Sequence, residues 1–209
     1  MSWRKRQLKN SRLYVLLDSD ICSRRLIEIA KQAIKAGADI IQLRLKDGSV
    51  KDRLRYAQIL RRLTKGKSLF VVNDYIDVAL ASKADGVHLG QHDMPIEITR
   101  KILGKKILIG ISCHSLKQAK EAQRKGADYI GIGPIFSTPA KPKAKAIGLK
   151  VLRRVKKNIR IPFFAIGGID QKNIRQISDC GAKRVAVVRA VCKSNNINRT
   201  IKRFKILLN

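Results

Sequence analysis

Four times along this chain, small residues and a charged one close what reads as a helix, and an apolar run follows at once. The instances are Ala36-Gly37-Ala38-Asp39 ahead of Ile40 to Arg44, Lys83-Ala84-Asp85-Gly86 ahead of Val87 to Gly90, Gly126-Ala127-Asp128 ahead of Tyr129 to Gly133, and Gly181-Ala182-Lys183 ahead of Val185 to Arg189. Four further apolar runs alternate with these: Leu13 to Leu17, Leu69 to Val72, Ile107 to Ile111, and Phe163 to Ile166. Short runs that are rich in β-branched residues and apolar almost throughout are strands covered on both faces, as in a parallel sheet with helices packed over it. Eight such strands arranged as a fourfold repeat predict a single closed (β/α)8 barrel, a TIM barrel of the α/β class, rather than an open sheet. Chemistry on such a barrel sits at the C-terminal ends of the strands.

The 209 residues fall somewhat below the about 250 typical of this architecture, which predicts one domain with short loops over residues 1–209, a basic N-terminal extension at 1–10 and a C-terminal tail at 193–209. No apolar stretch approaches the about 18 residues of a membrane helix. The basic start from Met1 to Asn10 has no apolar segment behind it, so a cytoplasmic location is expected. Cys22, Cys113, Cys180 and Cys192 show no paired spacing, which favours reduced thiols over a disulfide framework or a zinc site.

Charge is the unusual property. Forty-six Lys and Arg against fifteen Asp and Glu leave a net +31, a balance that raises the question of nucleic acid. The basic residues are spread over the expected outer helices, as at Arg53, Arg55, Lys117, Lys120, Arg153 and Lys157, with no zinc-finger spacing and no aromatic-studded strand for stacking bases. That pattern reads as a solvated basic surface that steers small anions.

The strand ends carry the polar groups. Alternation along Gln42-Leu43-Arg44-Leu45-Lys46 turns Gln42, Arg44 and Lys46 to one face, inward in a barrel strand. Cations there are costly unless an anion meets them, which points to a phosphate or pyrophosphate. Asn73-Asp74 after the third strand reads either as a helix cap or, with Asp93 after the fourth, as half of a carboxylate pair suited to Mg2+ bridging a pyrophosphate. His88 lies within an apolar run and reads as a barrel-wall residue. Ser115 with Gln118 fits a capping box, leaving Ser112 and His114 as candidates for substrate contact. The long Pro- and Lys-rich loop from Ile135 to Lys145 has the character of a lid. Gly167-Gly168, with a helix start expected just beyond, allows close approach to a phosphate.

Six blocks together resemble thiamine-phosphate synthase: Gln42 to Lys46, Asn73 to Leu80, Ala84 to Asp93, Gly110 to Ser115, Ala127 to Pro134, and Ile161 to Ile169. The likeness covers roughly Ser11 to Cys192 in order. It implies an alkyl transferase of thiamine biosynthesis, joining hydroxymethylpyrimidine pyrophosphate to thiazole phosphate with release of pyrophosphate, by a dissociative route through a pyrimidine-methyl cation. The resemblance further implies that Gln42, Arg44, Lys46 and Asn73 bind the pyrimidine pyrophosphate and that Asp74 and Asp93 hold Mg2+. By the same resemblance Ser112 and Lys141 assist the departing pyrophosphate, while Thr138, Gly168, Val188 and Arg189 face the thiazole phosphate. A homodimer is the family-typical expectation.

Two positions depart from that family's pattern. Ala140 stands where the family usually has a second threonine in Thr-x-Thr-Lys, and Arg189 where it usually has serine; the arginine either binds the thiazole phosphate bidentately or fills the pocket. The nearest alternative is the thiazole tautomerase-like relative, which can lack the pyrophosphate-binding set that is present here. A degenerate barrel that binds polyanions such as RNA through its surface is the alternative from another class.

Overall fold

A computed structural model describes residues 2–22, 25–139 and 144–208. Eight parallel strands, β1 (Leu13–Asp18), β2 (Ile40–Arg44), β3 (Leu69–Asn73), β4 (Gly86–Leu89), β5 (Leu108–Cys113), β6 (Tyr129–Ile132), β7 (Phe163–Ile166) and β8 (Val185–Val187), close into a barrel in sequence order. β8 pairs back onto β1, with Tyr14 opposite Ala186. The helix α1 (Trp3–Asn10) precedes the barrel, and α2 (Ser19–Cys22) with α3 (Leu26–Lys35) follows β1. After the next strands come α4 (Val50–Thr64), α5 (Ile76–Ala81), α6 (Ile96–Leu103), α7 (Leu116–Arg124), α8 (Gly148–Asn158) and α9 (Ile174–Asp179), and after β8 come α10 (Arg189–Cys192) and α11 (Ile197–Leu207).

Period-two alternation divides each strand between two cores. On β1, Leu13, Val15 and Leu17 pack outward against the helices, while Tyr14 and Leu16 join Ile40, Leu69, Val71, Leu108, Tyr129 and Phe164 inside the barrel. Each of these side chains is removed from water almost completely, a gain of about 1.5 to 3 kcal/mol apiece for the aliphatic ones. Gly110 makes the inner layer possible, because a Cβ there would stand 2.1 Å from the Tyr129 ring.

Local chemistry starts the helices. Ser49 accepts from Asp52 N at 3.1 Å while Asp52 Oδ2 accepts from Ser49 N at 3.2 Å, a complete capping box for α4. Ser115 caps α7 by accepting from Gln118 N, but Gln118 Oε1 takes the backbone N–H of His114, one residue earlier than a capping box requires. Asn73 and Asp74 do not cap α5: Tyr75 holds that position without a side-chain bond, Asn73 ends β3, and Asp74 takes a left-handed φ of 63°.

Both chain ends are integral to the barrel. Residues 1–10, expected as an extension, contain α1, whose Leu8 plugs the N-terminal end of the inner core with 3% exposure. Residues 193–209, expected as a tail, contain α11, which buries Ile197, Thr200, Ile201 and Phe204 and packs on α3. A helix of eight residues with one buried leucine has too short a pattern to be separated from a basic tail by sequence periodicity. The acids of the repeat fasten the same end. Asp39 Oδ2 accepts from Arg12 N and Leu13 N, Asp85 Oδ2 from Phe70 N, and Asp128 Oδ2 from Ile109 N, so each even-strand acid clips the start of the odd strand before it.

Candidate active site

The inward row of β2 rises from Ile40 through Gln42 to Arg44 at the barrel mouth, and closure of the sheet brings the corresponding rows of the other strands around one cavity of about 500 Å³. That volume is in the range of small-ligand sites. Gln42, Arg44, Asn73, Ser112, Thr138, Gly168, Val188 and Arg189 line it together, as does His114. Lys46, Asp74 and Asp93 stand outside its walls. Asp74 donates its backbone N–H to His88 O, and Asp93 Oδ2 accepts from Gly90 N, so the two residues follow the ends of adjacent strands. Lys141 and Ala140 lie outside the described residues.

Two acids missing from the sequence reading change the electrostatics of the mouth. Asp18, buried to 6% exposure and paired with Arg44 in the β1–β2 register, forms an ion pair with the Arg44 guanidinium. Lys46 Nζ lies 3.2 Å from Asp20 Oδ2, and that hydrogen bond holds the Asp20 carboxyl below the usual range. The anion that the inward-facing Arg44 requires is therefore supplied by the protein itself, as the Asp18 carboxylate. Period-two alternation from Tyr14 through Leu16 to Asp18 was the available signal for the first acid.

Arg189 is placed differently. β8 stops at Val187, and Arg189 opens the short α10 instead of continuing the strand, because Val188 turns out of the extended region with ψ −82°. Its side chain is exposed at the rim, and no ion pair among the described residues involves it. It borders the pocket.

Beyond β7, Gly167 (φ 96°) and Gly168 (φ 67°) adopt the left-handed conformation that favours glycine, and a Cβ at Gly168 would meet Ser137 O at 2.6 Å. The helix expected directly after them starts later, at Ile174, with Asp170 Oδ1 accepting from Lys172 N and Asn173 N in the intervening turn, and Asn173 Nδ2 donating to Gly168 O. This turn, rather than a helix terminus, shapes that side of the cavity.

The floor is polar. Gln42, Tyr14, Tyr129, His88 and Ser112 are hydrogen-bonded in that order, beneath Arg44 and Asn73. His88 is a wall residue as expected, 8% exposed, yet it also lines the cavity. Burial pushes the Cys113 thiol up to about 12. No group of three or more His, Cys, Asp or Glu that could enclose a metal occurs among the described residues. Mg2+ does not need such a cage, since it takes one or two carboxylates plus substrate phosphates and keeps several waters; Asp74 and Asp93 would be the carboxylates of such a site.

Fold and cavity define a single (β/α)8 barrel whose C-terminal mouth holds a polar, cation-bearing pocket. The chain belongs to the thiamine monophosphate synthase family, whose sequence model matches residues 13–191. It is 41% identical over 198 residues to a thiamine-phosphate synthase of Methanosarcina barkeri, covering 94% of this chain and 90% of that one. A Chloroflexus aurantiacus relative of the same description is 42% identical over 200 residues, covering 94% and 92%. Some relatives are longer: the chain spans 53% of the Thermosynechococcus vestitus protein, to which it is 44% identical. Among solved structures, thiamine phosphate pyrophosphorylase from Pyrococcus furiosus superposes with a TM-score of 0.89 at 36% identity, covering 98% of this chain and 96% of that one.

Proposed function

We propose that this chain joins hydroxymethylpyrimidine pyrophosphate to thiazole phosphate, giving thiamine phosphate and pyrophosphate. One observation carries the reading: eight side chains and turns from six different strand ends, anticipated separately for the two substrates, line one cavity. Gln42 and Asn73 on one wall hold the pyrimidine ring, with Arg44 and Lys46 meeting the pyrophosphate. Thr138, Gly168, Val188 and Arg189 on the other wall receive the thiazole phosphate, whose ring nitrogen then faces the pyrimidine methylene. In the dissociative course, the carbon–oxygen bond to pyrophosphate breaks, the pyrimidine-methyl cation forms, and the thiazole nitrogen captures it.

Charge accumulates on the leaving oxygen as that bond lengthens. Arg44, Lys46, Ser112 and Lys141 bind it more strongly in the transition state than in the ground state, which is where binding energy becomes rate. Asp74 and Asp93 would hold Mg2+ against the pyrophosphate; the ion supplies further charge neutralisation there. Arg189, exposed and without an ion-pair partner among the described residues, suits the thiazole phosphate, which favours the binding role over obstruction.

The test is turnover. Purified protein with both substrates and Mg2+ forms thiamine phosphate. A folded protein that gives no product above background at any Mg2+ concentration overturns the reading, and isomerisation of the thiazole alone assigns the chain to the tautomerase-like branch.

A further inference from the structure

Five side chains make an unbroken line of hydrogen bonds across the barrel floor. Gln42 Nε2 donates to the Tyr14 hydroxyl at 2.7 Å, the Tyr14 and Tyr129 hydroxyls are 3.0 Å apart, the Tyr129 hydroxyl lies 3.2 Å from His88 Nδ1, and His88 Nε2 lies 3.0 Å from Ser112 Oγ. A phenol and a neutral imidazole each carry one such proton. Burial raises both tyrosine pKa values above the ordinary one, so neither phenol ionises at neutral pH.

If each buried phenol is to spend its one proton within the line, the line runs in one of two senses; a hydroxyl that accepted from both neighbours would leave its own proton unpaired in the buried floor. In the first sense Gln42 donates, Tyr14 passes its proton to Tyr129, and Tyr129 passes its own to Nδ1. His88 then carries its proton on Nε2 and donates to Ser112, whose own hydroxyl proton is left for the cavity. In the second sense every bond reverses: Ser112 donates to Nε2, Nδ1–H donates to Tyr129, and Gln42 presents Oε1 to Tyr14.

One observation and the role proposed above for Ser112 select the first sense. Gln42 points Nε2 at Tyr14, leaving Oε1 buried with no hydrogen-bond partner, on a residue 1% exposed that lines the cavity. A pyrophosphate offers only acceptors, so a serine that assists it must donate. We propose that Tyr14, Tyr129 and His88 are positioning residues, a relay that holds His88 as its Nε2–H tautomer and so aims the Ser112 hydroxyl proton at the departing pyrophosphate. The relay also ties the two ends of the pyrimidine site together. With Ser112 donating, Gln42 Oε1 is an acceptor, so the site matches a ligand that carries an N–H donor on its ring and an anionic acceptor on its arm. Gly110 belongs to the device, because the space it leaves seats the Tyr129 ring.

This rests on the role given to Ser112 above, and the experiment separates the two. Long-range proton–nitrogen spectra of 15N-labelled protein, with the His88 signals assigned by their loss in His88→Gln, show the Nε2–H tautomer; an Nδ1–H tautomer overturns the relay. Tyr129→Phe removes one oxygen, lowers kcat about ten- to a hundredfold with KM for the pyrimidine pyrophosphate nearly unchanged, and blurs the tautomer signature. Unchanged kcat in folded Tyr129→Phe also overturns it. His88→Gln, whose amide can place a donor near Nε2, retains more activity than His88→Leu, whereas a packing role would favour leucine. If the wild type makes no thiamine phosphate, the reaction has been misread and the spectrum still decides the relay. If it turns over while His88 carries Nδ1–H, the relay alone falls.

Discussion

At the N-terminal rim, Asp39, Asp85 and Asp128 each accept a backbone N–H from the preceding strand and meet Lys or Arg from α1, α4, α6 or α11. At the C-terminal rim, Asp18 and Asp20 meet Arg44 and Lys46, but the same wall opens onto a cavity, and Arg189 opposite has no ion pair among the described residues. Both rims juxtapose acids and bases. The difference is what the acids face: those of the lower rim also clip strand starts through backbone N–H groups, whereas Asp18 and Arg44 line a cavity. Pre-pairing at the mouth holds Arg44 in place and lowers the penalty of burying its charge before substrate arrives.

The most damaging change should be at the N-terminal rim. Asp85, fully buried between Arg4 and Arg61 at 2.9 Å each, should cost about 3 to 5 kcal/mol of stability as Asp85→Ala in denaturant unfolding, while turnover per folded molecule stays unchanged. Arg44→Ala should show the opposite balance, with kcat/KM lower by about a hundred- to a thousandfold and a stability loss of only about 1 to 2 kcal/mol from the carboxylate left behind at Asp18. If the two variants lose stability equally and Arg44→Ala keeps its activity, the distinction between the rims is gone. Arg189→Ser should raise KM for thiazole phosphate about tenfold with no change in melting temperature; a lower KM would instead show that the arginine obstructs. The smallest effect belongs to Lys46→Ala. Its pair with Asp20 is half exposed on both sides, so stability should move by less than about 1 kcal/mol, and the activity loss should grow at low ionic strength. A thiol probe at neutral pH should leave Cys113 unlabelled until the protein unfolds, because its thiol is held protonated up to about 12.

Much of the mouth was legible along single strands. Alternation alone turned Gln42 and Arg44 inward, and the short apolar runs marked the eight strands to within a residue or two of where they lie. What could not be read were relations between strands. Asp18 is 26 residues from Arg44, and their contact depends on the register of β1 against β2, which no local pattern encodes. Tyr14 and Tyr129 looked like ordinary members of apolar runs. Their hydroxyls meet only because closure brings strands that are five apart in sequence order across one interior. The acids of the repeat were visible as a period, but that Asp39, Asp85 and Asp128 each fasten the start of the strand before them is a property of pairing.

The chain by itself determined the number of strands, the face each residue takes and the end of the barrel where its chemistry gathers, since these follow from periodicity and from short-range backbone geometry. Tertiary structure alone decided which charges meet, which polar groups share a proton and where the two chain ends lie. Those are distances between residues far apart in sequence, and only closure of the sheet makes them short.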